Sequence, residues 1–224
     1  MGYYNEAYMG ASDFRQLAST KCSTVSSKLC VVTLVYILIT IAVSVLGSFA
    51  KYEYVFPLGD TIMTYSIDWI SPIISLVITG PLYYGLISVS QSVYYDSMDI
   101  QVSELFSGFD KFSKTFLIYL LTSLYSFLWS LLFVIPGIIK GLSYSMSMYV
   151  YHDHPEYTPS QCIEKSKQIM DGHKWDYFCL MLSYLGWLIL CVLTFGILLL
   201  WVMPKIQVAS YAFYKYASEG VDFE

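Results

Sequence analysis

The sequence predicts an all-α, polytopic membrane protein with six transmembrane helices and one amphipathic helix at the membrane surface. Of its 224 residues, 56% are hydrophobic and only 13% are charged, whereas soluble domains carry about 25% charged residues. Four runs with few or no charges are each long enough to cross a hydrocarbon core. Two of these runs have a glycine near the middle, where the chain can turn back. We therefore predict a single transmembrane domain over residues 29–216.

The first two crossings follow from runs without a charged residue. Residues 1–28 are predicted to be a cytoplasmic N-terminal segment. Residues 29–50 contain no charge, and as a helix they would measure ~33 Å, which is enough for one crossing. A short loop is predicted at 51–68. Residues 69–95 are again uncharged, and Pro72 with Gly80-Pro81 predicts a kink in this second crossing.

The run 115–152 is too long for one crossing. Its single charge is Lys140, and as one helix it would measure ~57 Å, nearly twice the hydrocarbon thickness. Proline disfavours helix in the residue before it and glycine accepts a turn, so Pro136-Gly137 is the predicted fold-back. The crossings are predicted at about 114–135 and 137–152, and the second is short enough to span only part of the membrane.

A polar stretch separates the fourth crossing from the fifth. Thr158-Pro159-Ser160-Gln161 is a capping box with proline in the first turn, and Gly172 is placed to end the helix that follows. Between them, apolar and polar residues fall on opposite faces. This pattern predicts a cytoplasmic amphipathic helix at 159–172, lying at the membrane interface between the fourth and fifth transmembrane helices.

The run 177–216 also predicts two crossings. Its only charges are Lys205 and Lys215, and as one helix it would measure ~60 Å. Gly196 is the predicted fold-back, which gives crossings at about 176–195 and 197–216, with a structural break at Pro204 in the last of them. Residues 217–224 are predicted to be a short cytoplasmic tail.

The distribution of basic residues predicts the orientation. With six crossings, nine Lys and Arg residues lie on the side of both termini: Arg15, Lys21, Lys28, Lys111, Lys114, Lys165, Lys167, Lys174 and Lys215. The other side has Lys51, with Lys140 close to it. Positive loops stay in the cytoplasm, so we predict that both termini are cytoplasmic.

Several motifs, taken in order, resemble those of a known family. They are Leu105-Phe106-Ser107-Gly108-Phe109, Trp129 before Ile135-Pro136-Gly137-Ile138-Ile139-Lys140, Ser143-Tyr144-Ser145-Met146, Met170-Asp171-Gly172-His173-Lys174-Trp175, Leu185-Gly186-Trp187, Leu200-Trp201-Val202 with Pro204, and Ala212-Phe213-Tyr214. Over roughly residues 15–216 the chain resembles the bacterial integral membrane family called domain of unknown function 975. The resemblance implies a multi-pass protein of the bacterial cytoplasmic (inner) membrane, and it brings no activity, substrate or cofactor. Lys205 stands where the family often has an aromatic residue, so no role for it follows.

Lys205 is the strongest predicted contact for a lipid or ligand. It lies nine residues past Gly196, ~13 Å into the membrane, and Pro204 frees a backbone carbonyl that its ammonium could bind. A charge at this depth suggests a functional site. The alternative is a lysine that faces a water-filled crevice without a ligand.

Four other residues are predicted contacts for lipid. His173, Lys174 and Trp175 lie where the surface helix meets the fifth crossing, at the level of lipid phosphates. The alternative there is a helix junction in which Trp175 is an interfacial anchor. Lys140 lies just past the fold-back and is predicted to extend to the outer face.

No catalytic constellation is found in the sequence. It has no H-E-x-x-H, G-x-S-x-G or Walker A motif, and its five cysteines are too scattered for a zinc site. His152 and His154 are interpreted as part of a solvated loop. With a net charge of −5 and no basic stripe, nucleic acid is not expected as a partner. No cofactor is expected.

The function predicted is therefore non-enzymatic. The protein would act through contacts with membrane lipids or other membrane proteins, in an accessory, membrane-organising or self-protection role. The alternative is a transporter of a small molecule, lipid or peptide that uses a cleft between the two helical hairpins. An enzyme that acts on lipid at the interface is the least favoured reading.

Overall fold

The computed structural model describes residues 9–48, 52–58, 61–67, 70–97, 99–219 and 221. The helices before the middle of the chain are α1 (Ala11–Thr24), α2 (Ser26–Ser48), α3 (Ile70–Tyr94), a 3₁₀ turn (Val102–Phe106), α4 (Ser107–Asp110) and α5 (Phe112–Leu132). The helices after it are α6 (Val134–Tyr144), α7 (Ser147–Asp153), α8 (Pro159–Ile169), α9 (Lys174–Ser183), α10 (Leu185–Leu193) and α11 (Leu199–Ser218). The bounds of the predicted N-terminal segment and C-terminal tail lie partly outside the described residues.

A β-hairpin replaces the loop that was predicted at 51–68. Strand β1 (Tyr52–Leu58) pairs antiparallel with β2 (Thr61–Ile67), and the register runs from Tyr52↔Ile67 to Leu58↔Thr61. The prediction of a loop was wrong because it rested on the charged residues and did not consider strand propensity. Both segments are rich in Tyr, Val, Ile, Thr and Phe, which favour strands. The fold is therefore helical with a two-stranded addition.

Four described helical stretches are long and apolar enough to cross a membrane: Ser26–Leu46, Pro72–Tyr94, Phe112–Leu132 and Lys174–Leu193. They indicate a membrane protein. The predicted fourth and sixth crossings, 137–152 and 197–216, are not among these stretches. The fourth is divided between α6 and α7, and α11 carries two lysines and buries most of its second half.

The turn between α5 and α6 lies at Phe133, before the predicted Pro136-Gly137. Phe133 is extended, with φ −158° and ψ 144°, and α6 begins at the next residue. Pro136 is therefore in the first helical turn, where its missing N–H is no cost. Gly137 lies where α6 backs onto α5: a Cβ added there would lie 2.4 Å from Ser130 Oγ. The glycine is used for close helix packing rather than for the turn.

A single serine completes the break between α6 and α7. The Ser166 hydroxyl, on α8, donates to the carbonyl of Ser143 at 2.8 Å and accepts from the backbone N–H of Met146 at 3.1 Å. Ser166 itself is fully buried. One side chain therefore satisfies a backbone acceptor and a backbone donor that the interruption of the helix releases.

Part of the core is a cluster of buried aromatic side chains. It is formed by α7, the second half of α3 and the second half of α11, and its largest buried side chains include Tyr149, Tyr151, Tyr211 and Tyr214. The Tyr149 ring lies against those of Tyr211 and Tyr214, at centroid distances of 6.3 and 5.5 Å.

The tips of both helical hairpins are apolar and exposed. At the α5–α6 tip, Leu132, Phe133 and Val134 are 64–72% exposed. At the α10–α11 tip, Phe195 is 97% exposed. The ion pair of Lys215 with Asp153 lies at the other end of α11.

Candidate functional site

The candidate site is built on α1, which was predicted only as part of the cytoplasmic N-terminal segment 1–28. Phe14, Ala18 and Cys22 recur every four residues, so they share one face, and all three are buried. The Phe14 ring packs edge-on against Phe213 and Tyr216 of α11, at centroid distances of 5.4 and 5.6 Å. This packing fixes α1 along α11 and sets the direction of its polar face.

A cleft lies between α1, the start of α10 and α11. It is lined by Arg15, Gln16, Ser19, Tyr184, Trp187, Leu198, Trp201, Val202 and Lys205. Its empty volume is about 960 Å³, including the part open to solvent. The walls are therefore two indole rings and a phenol, with a guanidinium and an ammonium among them.

Backbone carbonyls are the polar partners described inside the cleft. Arg15 Nη1 donates to the carbonyl of Ser183 at 3.4 Å, and the Tyr184 hydroxyl donates to the carbonyl of Lys205 at 3.4 Å. These bonds join α1 to the end of α9, and the α9–α10 bend to α11. They hold the walls in place without neutralising either cation.

The two cations of the cleft lack the carboxylate partner that four lysines elsewhere have. Four ion pairs of lysines with aspartates are described elsewhere: Lys21 with Asp96, Lys28 with Asp99, Lys174 with Asp171, and Lys215 with Asp153. Within the described part of the chain, no carboxylate pairs with Arg15 or Lys205. Both side chains are half-buried. Two positive charges at a partly desolvated site without a counter-ion favour an anion.

The surroundings of Lys205 include a helix that the prediction did not consider. The residue lines the cleft with Arg15 and Gln16 of the polar helix α1. The carbonyl that Pro204 frees, on Leu200, lies 4.0 Å from Cys30 Sγ and is described with no bond to the Lys205 ammonium. The lysine is therefore available to the cleft.

A second cavity adjoins the cleft and shares Ser19, Trp201 and Lys205 with it. Cys22 lines this cavity. Burial raises the pKa of the Cys22 thiol to about 12, and the positive charge of Lys205 offsets this only in part. The thiol is therefore protonated at neutral pH, and it is not an activated nucleophile.

The structure does not bring the other predicted contacts to this cleft. His173 packs its ring against Phe213 and Tyr216, and its Nδ1 lies 3.7 Å from Asp176 Oδ2. Lys174 lies 3.7 Å from Asp171 Oδ1. Trp175 is 70% exposed and stacks on Phe178. These residues begin α9, whereas the cleft lies beyond its other end.

Lys140 is used inside the first hairpin. Its ammonium lies 5.0 Å from the centre of the Trp129 ring, a cation–π contact that joins α6 to α5. Two of the glycines predicted at turns have a positive φ. Gly172, which follows α8, has φ +86°, and Gly196, between α10 and α11, has φ +83°. Pro204 lies inside α11.

The histidines and acids at 152–156 form pairs rather than a cluster. The predicted solvated loop is wrong for His152, which lies in the last turn of α7 with its side chain only 9% exposed. Asp153 accepts from Lys215 Nζ at 2.6 Å and from the Tyr214 hydroxyl at 3.2 Å, while His154 lies 3.0 Å from Glu156. Within the ranges that the structure describes, no three His, Cys, Asp or Glu residues are grouped so as to hold a metal ion.

The comparisons with known proteins locate the family resemblance. Residues 131–219 match the family described as Protein of unknown function (DUF975). The predicted resemblance is confirmed for this region, which includes Lys205 and the α10–α11 hairpin, and it is shorter than the 15–216 that was predicted. Neither the curated proteins nor the solved structures gave a match.

Proposed function

We propose that this protein, whose residues 131–219 match a family without an assigned function, is a non-enzymatic membrane protein that holds an anionic phospholipid headgroup. The site is the cleft between α1, α10 and α11. The proposal includes the orientation predicted from the basic residues, with both termini in the cytoplasm of a bacterium, so that the cleft faces the inner leaflet.

The observation that carries the proposal is the pair of unmatched cations, Arg15 and Lys205, between Trp187 and Trp201. Indole rings are typical of the membrane–water interface, and a guanidinium with an ammonium suits a phosphate. Anionic lipids are enriched on the cytoplasmic leaflet and attract basic residues by about 1 kcal/mol per charge. Beyond the two cations, the cleft is wide and its lining residues are uncharged. It therefore has room for the glycerol and the first acyl carbons of the lipid.

The test measures lipid binding by the purified protein. Native mass spectrometry in mild detergent is used to titrate phosphatidylglycerol against phosphatidylcholine. Arg15→Gln and Lys205→Gln are each expected to weaken phosphatidylglycerol binding about fivefold, and the double variant by roughly 25-fold. Phosphatidylcholine binding should change little, because its headgroup has no net charge.

The matched control is Lys167→Gln, which removes an exposed lysine of α8 that does not line the cleft. It should leave phosphatidylglycerol binding within twofold of the parent. Equal binding of the two lipids by the parent, or an unchanged affinity in the double variant, would overturn the proposal. If reconstituted vesicles instead show anion uptake that Lys205→Gln abolishes, a transporter is the better assignment.

A further inference from the structure

The tip between α10 and α11, residues 192–197, consists of apolar side chains that the protein does not cover. Val192, Leu193, Phe195 and Ile197 are 80%, 70%, 97% and 65% exposed. Phe195 also has φ +52°, a left-handed conformation that is strained for a residue with a side chain. A strained residue whose large side chain touches almost no protein atoms needs its stabilisation from outside the chain.

The sequence around the tip has no charged residue that would place it in water. From residue 177 to residue 204 the sequence contains no Asp, Glu, Lys or Arg. The polar groups of the turn are satisfied internally: the Gly196 N–H donates to the carbonyl of Cys191 at 2.8 Å, and the Thr194 hydroxyl donates to that of Leu190 at 3.0 Å. Backbone in hydrocarbon requires such internal bonds.

A contact between α2 and α11 gives the depth of the tip. Cys30 Sγ lies 4.0 Å from the carbonyl of Leu200, so these residues share a level. Lys28, two residues earlier, pairs with Asp99 and marks the aqueous edge. From Cys30, α2 continues for 18 residues to Ser48, a rise of ~27 Å.

From the same level, the tip extends much less far. Phe195 is only five residues from Leu200, and the segment between them is tightened by hydrogen-bonded turns, such as Leu199 N–H to the carbonyl of Gly196 at 3.0 Å. Five residues in such turns rise about 10 Å. The hydrocarbon core is ~30 Å thick, so the tip stays within one leaflet.

The other arm of the hairpin leads to the same conclusion. The apolar stretch Lys174–Leu193 is long enough to cross, but its first half is not available for crossing. Arg15 of α1 reaches the carbonyl of Ser183 at the end of α9, which places α9 beside a polar helix. Only α10 projects beyond it, and Trp187 at its start lies eight residues, ~12 Å, from Phe195.

We propose that the α10–α11 tip is a re-entrant wedge that inserts into the leaflet on the Lys205 side and is covered there by phospholipid acyl chains. It does not cross the membrane. This inference rests on the proposed membrane location, and it replaces two of the six predicted crossings with one shallow hairpin. Both termini stay on the same side, because removing a pair of crossings leaves the orientation unchanged.

The experiment places a fluorescent label at the tip. Cys30→Ala and Cys179→Ala remove the two native cysteines that are not buried, and Phe195→Cys is added and labelled with bimane. Gln168→Cys, on the exposed face of α8, is the aqueous control. Each protein is reconstituted in phosphatidylglycerol–phosphatidylcholine vesicles, and quenching by iodide is compared with quenching by brominated acyl chains.

Brominated lipid should quench the label at position 195, and iodide should quench it at least about tenfold less than the label at position 168, because ions are excluded from hydrocarbon. In intact cells, an impermeant maleimide should not react with Phe195→Cys. Labelling from outside would show that the hairpin crosses, and quenching by iodide alone would show that the tip is not in lipid. If the protein fails to float with vesicles at all, the proposed function fails rather than the wedge alone.

Discussion

Replacing Gly85 by alanine is expected to lower the free energy of unfolding by about 3 kcal/mol or more, the largest effect we expect from a single methyl group in this chain. A Cβ at this position would lie 2.0 Å from the carbonyl oxygen of Leu105. The obstacle is backbone, so it cannot move aside as a flexible side chain would. The segment that carries Leu105 must therefore separate from α3.

Gly108→Ala is expected to act in the same way, since its Cβ would lie 2.1 Å from the carbonyl oxygen of Pro81 on α3. Thermal unfolding in detergent should show melting temperatures reduced by about 6–12 °C for each variant. The control is Gly186→Ala, where a Cβ meets nothing within 4 Å. That helical variant should be as stable as the parent or slightly more so. Equal melting temperatures for Gly85→Ala and Gly186→Ala would contradict the close packing.

Asp153→Asn is expected to cost about 1–3 kcal/mol, because it leaves Lys215 without its carboxylate at a half-buried position. The side chains of Asp153 and Lys215 are only 16% and 26% exposed. The matched control is Glu164→Gln on α8, an exposed acid whose replacement should change stability by less than about 0.5 kcal/mol. Thermal unfolding of the two variants at neutral pH distinguishes the effect of losing this ion pair from the effect of removing one negative charge.

The same pair predicts a dependence on pH. Burial opposes ionisation of Asp153, but hydrogen bonds from His152 and Lys215 and their charges outweigh it, so the pKa of this carboxyl is lowered. A lowered folded-state pKa contributes stability above the ordinary value of about 3.9, and this is lost as the pH falls through the folded value. The difference in melting temperature between parent and Asp153→Asn should therefore be constant near neutrality and shrink in acid. A difference that persists at the lowest pH would exclude the ion pair as its cause.

Helices that are apolar over their whole length could be predicted from the sequence, because the absence of charge over 20 residues is a local property. The runs at 29–50, 69–95 and 114–135 correspond to α2, α3 and α5 within a few residues. The capping box at Thr158 places the start of α8 for the same reason: the Gln161 N–H donates to Thr158 Oγ1 at 3.4 Å, within four neighbouring residues. Features that depend only on neighbouring residues can therefore be predicted from the sequence.

The site could be predicted only in part. Lys205 stood out as a rare charge in an apolar run, but Arg15 was counted only as one of nine basic residues. Their approach depends on the packing of α1 against α11, which joins residues nearly 200 positions apart. The spacing of Phe14, Ala18 and Cys22 was a usable signal for α1 and was overlooked. The carbonyl of Leu200 lies near Cys30 Sγ and has no described bond to Lys205. This could not be predicted, because residue counts along a helix give length but not the direction of a side chain.

The serine that completes the α6–α7 break also has a consequence for the order of events during synthesis. Ser166 leaves the ribosome twenty residues after Met146, whose N–H it accepts, and after both arms of the first hairpin. Until α8 emerges and docks, the break keeps an unpaired donor and an unpaired acceptor. The break in this hairpin is therefore completed only after α8 has been synthesised and has docked against it.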